Sequence, residues 1–309
     1  MNRNFIFGAV VALAVAVVHA QSPSMETKQA QQLFPTPQAA IDSLLEACKN
    51  DDTAALVRML GPGYGAHLEK MDDAEERQHR ADFYEKTREF MKIEEQEKDR
   101  AVLIVGRERW PVPVPLVKES AGWRFDTEEG MEEMLARRIG ENELAAIEVC
   151  REYVRAQVEY ARIDRDDDKV REFAQRIIST EGKRDGLYWD RDPQSAEHPS
   201  PFEALLPDDF DGLRHSKSRV PYMGYYYKVL TRQGANPPGG KYDYVINGNM
   251  IAGFALIAWP ADYRASGVMT FAVNHQGALV EKDFGPDTAK LAEPMTEFNP
   301  DDTWNPTDD

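Results

Sequence analysis

The chain has 309 residues, and its 54 acidic side chains outnumber the 37 basic ones, which gives a formal net charge of −17 at pH 7. A surface of that sign repels phosphate backbones and anionic lipid, so the composition disfavours nucleic-acid binding and adhesion to an acidic membrane face. The length exceeds the ~100 to 200 residues of a typical domain and therefore favours two domains.

The amino terminus has the pattern of a secretion signal. Arg3 lies in a short polar start, Phe5 to Val18 form an almost unbroken apolar run, and Val18-His19-Ala20 resembles a cleavage site. We therefore expect a signal peptide over residues 1–20 and a periplasmic or secreted protein. No later segment approaches the ~20 apolar residues of a spanning helix, so no membrane span is expected after signal removal. Residues 21–33 lack apolar periodicity, which indicates a flexible lead.

Helices followed by strands are expected over residues 34–140. Thr36 is a good N-cap, and the apolar helical face that follows it extends to Cys48. A shorter helix stops at Gly61, and a highly charged helix is expected over residues 73–91. The strand-like segments are 101–106, 112–117 and 122–125. Closely spaced prolines confine the middle one to a sheet edge.

Residues 141–309 form the second expected domain. An apolar stripe predicts a helix over 143–162, and a further helix is expected over 169–179. The alternation then changes to that of a β-meander, in which Asn247-Gly248 marks a tight turn. The strand over 251–259 is apolar on both faces, so we expect it to be central and covered on each side. The chain is thus predicted to be α+β with two domains.

The first domain resembles a known superfamily. The order of its elements and the segment from Pro37 to Asp52 (PQAAIDSLLEACKNDD) are similar to the nuclear-transport-factor-2-like superfamily over residues 34–139. The resemblance implies a cone-shaped domain with helices against a curved sheet. Such domains hold a pocket, which we expect Tyr84, Trp110 and Trp123 to line.

The second domain carries a more distinctive resemblance. Its blocks PYMGYYY from Pro221, GFALIAWPA from Gly253 and SGVMTFAVN from Ser266 resemble an exported bacterial family of unknown function, number 2950. That resemblance covers nearly the whole chain after the signal and implies no established activity. The helix near Tyr160 and the tyrosine-rich strand after it are also similar to the globular half of pseudopilin-like proteins. This helix is amphipathic, however, whereas pilins build filaments with a long apolar helix.

Cys48 and Cys150 are the only cysteines of the chain. In an exported protein the two would be able to form a disulfide. The alternative is a pair of buried thiols, because both residues fall on the apolar stripes of predicted helices.

The usual catalytic signatures are absent from the sequence. It contains no HExxH, GxSxG, CxxC or Walker A motif, and no histidine pair has a metal-ligand spacing, so neither a metal nor a cofactor is expected. His275 follows Asn274 in a predicted turn and would approach Asp283 across the hairpin. Such a pair would be able to act as a general base. The alternative is a polar turn on the surface.

Aromatic residues form the strongest candidate for a binding surface. Rings with polar tips suit recognition of a glycan or a peptide, whereas the alternative is ordinary packing of a sheet. We expect a non-catalytic envelope module that binds or assembles with an envelope protein or a cell-wall polymer through an exposed aromatic patch. The alternative is a small-molecule carrier or divergent enzyme that uses the pocket of the first domain. The candidate rings are Tyr188, Trp189, Tyr222, Tyr225, Tyr226 and Tyr227.

Overall fold

A computed structural model describes residues 31–68, 73–165, 168–189, 199–202 and 220–307. The predicted signal peptide and most of the predicted lead lie outside the described residues. The fold is α+β, as predicted, and the chain divides into two compact units, Met1–Arg137 and Arg138–Asp309. Among the described residues, no helix combines the length and the apolar character needed to cross a membrane.

Helices open the first unit, and local sequence signals set their ends. They are α1 (Pro37–Lys49), α2 (Thr53–Leu60), α3 (Pro62–Leu68) and α4 (Asp73–Glu89). The Thr36 hydroxyl accepts a hydrogen bond from the Ala39 amide at 3.1 Å, which confirms the predicted N-cap of α1. Gly61 ends α2 with a φ of 86°, in the region that favours glycine.

An antiparallel sheet completes the first unit. Its strands are β1 (Met91–Glu97), β2 (Arg100–Val105), β3 (Trp110–Pro111), β4 (Leu116–Glu119) and β5 (Gly122–Phe125). They run in the order β1-β2-β4-β5, and β3 pairs with β2. Strand β1 was not predicted because its sequence, MKIEEQE, is almost wholly polar and exposed. The predicted edge strand over 112–117 is wrong in its bounds and its place: residues 112–115 form no strand, and β4, which begins only after Pro115, lies between β2 and β5.

The predicted lead ends earlier than Leu33. The Gln31 side-chain amide donates to the carbonyl oxygens of Met59 and Phe125 at 2.7 and 2.8 Å. Phe34 then exchanges backbone hydrogen bonds with Trp123. Residues from Gln31 onward are therefore bound to the core of the first unit.

Helix α5 (Thr127–Tyr160) is far longer than the predicted segment over 143–162. Its first turn carries Glu128 and Glu129, which suit the positive end of a helix. It continues through Gly140 despite a cost of about 1 kcal/mol relative to alanine. The division between the two units falls inside this helix, between Arg137 and Arg138.

The second unit is built on strands. In chain order they are β6 (Tyr225–Leu230), β7 (Arg232–Gln233), β8 (Tyr242–Asp243), β9 (Val245–Ile246), β10 (Asn249–Met250), β11 (Ala255–Pro260), β12 (Thr270–Asn274), β13 (Leu279–Lys282), β14 (Glu297–Phe298) and β15 (Asn305–Pro306). The main sheet has the order β15-β13-β12-β11-β6. Every residue of β11 is buried, and β14 and the short helix α6 (Thr288–Ala292) lie against it. The predicted central strand is therefore confirmed.

The predicted meander is only partly correct. Strand β6 pairs directly with β11, while β8 pairs with β7 and β9 pairs with β10. The β9–β10 hairpin closes through Asn247 and Gly248, whose φ angles of 54° and 97° match a two-residue hairpin turn. The predicted tight turn is thus confirmed, but it joins a small separate hairpin.

The predicted helix over 169–179 does not form. The buried Gln157 side chain binds both backbone groups of Ala174, accepting from its amide and donating to its carbonyl oxygen at 2.8 Å each. The Phe173 amide donates to the Met250 carbonyl oxygen at 2.8 Å. Because these backbone groups bind partners elsewhere in the unit, they are not available for a helical ladder.

Candidate functional site

A cavity of about 100 Å³ lies inside the core of the first unit. Three aromatic side chains line it, Tyr64, Phe83 and Phe125. An apolar cavity of about 150 Å³ takes up benzene, so this one has room for a somewhat smaller apolar group. Most of the remaining lining is aliphatic, including Ile41, Leu44, Leu56, Leu60, Leu103 and Val114.

Two methionines of α5 give the cavity wall room to adjust. Met131 and Met134 lie three residues apart on α5, and both line the cavity. Methionine is unbranched and polarizable, so it adapts to irregular neighbours more readily than leucine or valine does. The cavity is therefore able to accept ligands slightly larger than its unliganded volume.

The polar part of the lining comes mainly from α4. His79 and Arg80 both line the cavity, and Arg80 is only 8% exposed. The Arg80 guanidinium forms an ion pair with Asp51 at 2.7 Å and donates to the Thr53 hydroxyl at 3.3 Å. A buried arginine needs such partners, because an unpaired charge is costly to remove from water. The result is an apolar cavity with one cationic side chain in its wall.

Thr127, at the start of α5, also contributes a polar side chain to the lining. Its hydroxyl donates to the Leu60 carbonyl oxygen at 2.6 Å, which satisfies the last turn of α2. Thr127 therefore holds α2 against α5 and shapes the cavity rather than pointing a vacant donor into it.

The predicted lining residues of this pocket were wrong. Trp123 is packed into the core, and the Trp110 ring is covered by the Arg137 guanidinium at 4.6 Å. On α4, Phe83 faces the cavity, and Tyr84 follows it at about 100° around the helix, off that face. Arg80 was missed because it lies in a run of charged residues. Its spacing of three from the buried Phe83 was the signal that it shares the inner face of α4.

Half of the candidate aromatic rings belong to the core of the second unit. Tyr225 is fully buried, and Tyr188 and Trp189 are each 6% exposed. The Tyr225 hydroxyl donates to the Met269 carbonyl oxygen at 2.9 Å. These rings therefore cannot contribute to the expected exposed patch, because they are buried against other side chains of the core.

The other candidate rings are half-buried. Tyr226 packs against Trp259 with ring centroids 5.8 Å apart, and Tyr222 and Tyr227 lie 6.5 Å apart. The Tyr227 hydroxyl is buried and has no hydrogen-bond partner among the described residues. Burial raises the pKa of Tyr227 well above its ordinary range. The rings thus follow the sheet-packing alternative more closely than the exposed-patch expectation.

The predicted pair of His275 and Asp283 does not form. Val273 pairs with Leu279, so the hairpin register carries Asp283 away from the turn in which His275 lies. Asp283 instead accepts hydrogen bonds from the Tyr263 hydroxyl at 3.2 Å and the Gly285 amide at 2.7 Å. A His-Asp general base is therefore excluded at this place.

His275 and Asn274 have structural surroundings of their own. Asn274 is buried, and its side-chain oxygen accepts from the amides of Gln276 and Ala278 at 3.0 and 3.1 Å, which shapes the turn. The His275 ring packs edge-on against Tyr244, with centroids 5.7 Å apart. Its Nδ1 atom is buried without a hydrogen-bond partner among the described residues, and burial lowers the pKa of His275.

Cys48 and Cys150 are buried, and no disulfide joins them. Cys48 packs into the core of the first unit and Cys150 into that of the second, so each fills space as a small hydrophobic side chain. Burial raises the pKa of Cys150 to about 12, which leaves almost no thiolate at neutral pH. The buried-thiol alternative is thus correct.

Comparison with known protein families gives a match over most of the chain. The model of a family described as a protein of unknown function, DUF2950, matches residues 31–307. No curated protein and no solved structure matches the chain. Among the described residues, no three His, Cys, Asp or Glu side chains converge as a metal site would require. The similarities to the nuclear-transport-factor-2-like and pseudopilin-like groups stay predictions.

Proposed function

We propose that this chain, which belongs to the DUF2950 family, is an exported, non-catalytic binding protein whose first unit takes up a small, mostly apolar molecule with one polar end. One observation carries the proposal: an apolar cavity inside the first core that contains a single permanently charged lining side chain, Arg80. Ligand sites combine apolar walls with a small number of placed polar groups. The cavity of the first unit has that composition.

The size of the cavity limits the ligand. Drug-sized ligands occupy pockets of about 300 to 1,000 Å³, well above the 100 Å³ found here. A short alkyl group fits this space, with its polar end near His79 and Arg80. We expect an acidic or neutral end group to bind better than an amine, because a second cation beside Arg80 would be repelled.

The non-catalytic part of the proposal has its own support. Burial suppresses the Cys150 thiolate, and the His275 and Asp283 side chains are apart. The polar atoms that line the cavity belong to residues that hold the helices together, as Thr127 does for α2 and α5. The export part depends on residues 1–20, and the mass of the secreted chain would test it by showing an amino terminus near Gln21.

A ligand series tests the binding proposal. Hexanoate, hexanol and hexylamine would be titrated into the full chain without its predicted signal peptide, and amide shifts of the cavity residues would be followed by NMR. We expect hexanoate and hexanol to shift residues such as Leu44 and Phe83, and hexylamine to act more weakly. Unchanged cavity signals with all of these compounds would refute the proposal.

A filled cavity provides the matched control. Leu60 lines the cavity and is only partly buried, so Leu60→Trp would occupy the space with little strain on the core. Leu144, on α5, is 69% exposed and does not line the cavity. Leu144→Trp therefore adds the same side chain at an exposed position outside the cavity lining. Hexanoate binding should be lost in the first variant and kept in the second.

A further inference from the structure

The proline-rich segment over 111–115 has space on both of its sides. Val112 and Pro113 border the apolar cavity and also a groove of about 490 Å³. Gly130 of α5 lets this segment approach closely, since a Cβ atom there would lie 2.5 Å from a Val114 methyl carbon. Proline fixes the backbone angle φ, so the wall between cavity and groove is stiff. The groove volume is within the range of ligand sites, about 300 to 1,000 Å³.

A network of hydrogen bonds crosses one side of the groove. Both terminal nitrogens of Arg100 donate to Glu129, at 2.6 Å each. The Nε atom of Arg100 donates to the Gln96 side-chain oxygen at 3.1 Å. This network joins β1, β2 and α5, so the polar atoms are held in place before any ligand arrives. Its pairing also keeps the pKa of Glu129 below the ordinary range.

A second arginine is fixed at the other side of the groove. Arg137 donates to Glu133 at 2.8 Å and to the Pro111 carbonyl oxygen at 3.0 Å. Its guanidinium also lies over the Trp110 ring at 4.6 Å. Three different contacts restrain this side chain, which makes it more rigid than an ordinary surface arginine.

The charges of the groove nearly cancel. Arg100 and Arg137 are matched by Glu129 and Glu133, and Glu132 adds a carboxylate with no ion pair among the described residues. An anionic ligand would meet this excess negative charge and is disfavoured. The rest of the lining is apolar, with proline rings and valine side chains beside the polar network. The ligand should therefore be uncharged, rich in hydrogen-bonding groups, and partly apolar.

We propose that this groove binds a neutral saccharide. Sugar hydroxyls both donate and accept, so they can use the guanidinium N–H groups and the carboxylate oxygens of the same arginine–glutamate pairs. The C–H faces of a sugar ring suit the proline and valine surface. The groove is a separate site from the cavity. A saccharide bound there would give the predicted interaction with a cell-wall polymer a definite location.

Oligosaccharide titrations test the inference. Cellotetraose, chitotetraose and maltotetraose would be titrated to 10 mM into the full chain without its predicted signal peptide, with tetragalacturonate as the anionic comparison. NMR would follow the amides of Gln96, Arg100 and Ala136. We expect at least one neutral tetrasaccharide to shift these signals with saturation, and tetragalacturonate to bind at least tenfold more weakly.

Two tryptophan variants separate a site from non-specific adhesion. Ala136 lines the groove and is exposed, so Ala136→Trp blocks it without disturbing the core. Ala81, exposed on α4 and outside the groove lining, gives the matched variant Ala81→Trp. Saccharide affinity should fall at least tenfold in the first and stay unchanged in the second and in Leu60→Trp. The inference would be overturned if no neutral saccharide bound with saturation, or if the Ala136→Trp variant bound saccharide as well as the wild-type chain. Either result would do so independently of whether hexanoate binds in the cavity.

Discussion

The first unit keeps unfilled space beside ordinary aliphatic side chains, whereas the second unit packs large aromatic rings tightly. In the first, a cavity of about 100 Å³ remains between helices and sheet. In the second, Trp259, Phe271 and Tyr225 are at most 1% exposed. The tyrosine-rich strand that stands out in the sequence is therefore mainly a packing element. Both the cavity and the groove described above are lined by residues of the first unit, whose sequence is the less distinctive.

Truncation of one buried phenylalanine in each unit should give the largest changes in the free energy of unfolding. The difference between the two losses measures how much more tightly the second unit is packed. Phe271→Ala in β12 should reduce the free energy of unfolding by about 3 to 5 kcal/mol, because a closely packed ring leaves a large void. Phe125→Ala in β5 should cost less, since Phe125 already borders empty space and makes fewer contacts there.

Urea unfolding followed by fluorescence and by amide NMR would measure both variants. NMR signals from each unit show which transition a variant shifts, so separate unfolding of the units does not confuse the comparison. Equal losses for Phe125→Ala and Phe271→Ala would mean that the cavity does not weaken packing around Phe125, and the contrast between the two units would fail.

Removal of the Gln157 amide should have the next largest effect. Gln157→Leu would leave the amide and carbonyl oxygen of Ala174 unpaired and would take a donor from the Tyr153 hydroxyl. Each buried polar group left unpaired costs about 1 to 3 kcal/mol, so we expect a loss of at least 2 kcal/mol. Hydrogen exchange at Ala174 should accelerate by more than tenfold.

A nearby substitution shows whether that effect is specific. Ala156 is buried on α5 one residue from Gln157 and makes no side-chain hydrogen bond, so Ala156→Gly weakens the helix and removes one buried methyl group but breaks no hydrogen bond. It should lower the free energy of unfolding by about 1 to 2 kcal/mol, and hydrogen exchange at Ala174 should accelerate no more than that loss of stability explains. A similar acceleration in both variants would contradict a specific role for the Gln157 amide.

Much of the fold was predictable where local chemistry decides it. The Thr36 cap, the Asn247-Gly248 turn and the apolar strand that became β11 each carry their signal within a few residues. The segment over 169–179 was not predictable, because the buried amide of Gln157 is the partner that holds it extended. Strand β1 was missed for a related reason: pairing with β2 stabilises a strand that lacks an apolar face.

The candidate sites were less predictable than the fold. A cavity is the space that side chains from several elements fail to fill, and no local pattern encodes it. Arg80 shows the difficulty, since its spacing from Phe83 predicts a shared face but not the partners Asp51 and Thr53. The groove depends on pairing between Arg100 and Glu129, which lie on separate elements. Register and tertiary contacts determine both sites.

Two tyrosine-to-phenylalanine changes should have smaller effects of opposite sign. Tyr225→Phe removes the hydrogen bond to the Met269 carbonyl oxygen and should cost about 1 kcal/mol. Tyr227→Phe removes a buried hydroxyl without a partner among the described residues and should be neutral or stabilising. Urea midpoints of the second unit measure both changes. Destabilisation by Tyr227→Phe equal to that of Tyr225→Phe would indicate that the Tyr227 hydroxyl has a bound partner.

The smallest predicted effect is a dependence of stability on pH through His275. Burial lowers its pKa below the ordinary value of 6.5, so the unfolded chain binds a proton more readily than the folded one. Its stabilising effect is therefore complete above about pH 6.5 and falls with decreasing pH until the folded-state pKa is passed. The urea midpoint of the second unit should drop more between pH 7.5 and 5.5 in the wild-type chain than in His275→Gln, which cannot titrate at this position. The Tyr244 ring packed against it stays neutral over this range, because the ordinary pKa of tyrosine, about 10, is already well above it and burial raises the pKa of Tyr244 further. An equal drop of the urea midpoint in the wild-type chain and in His275→Gln would mean that the His275 ring is hydrated in the folded state. The second unit would then be less tightly packed at this turn than it is in its core.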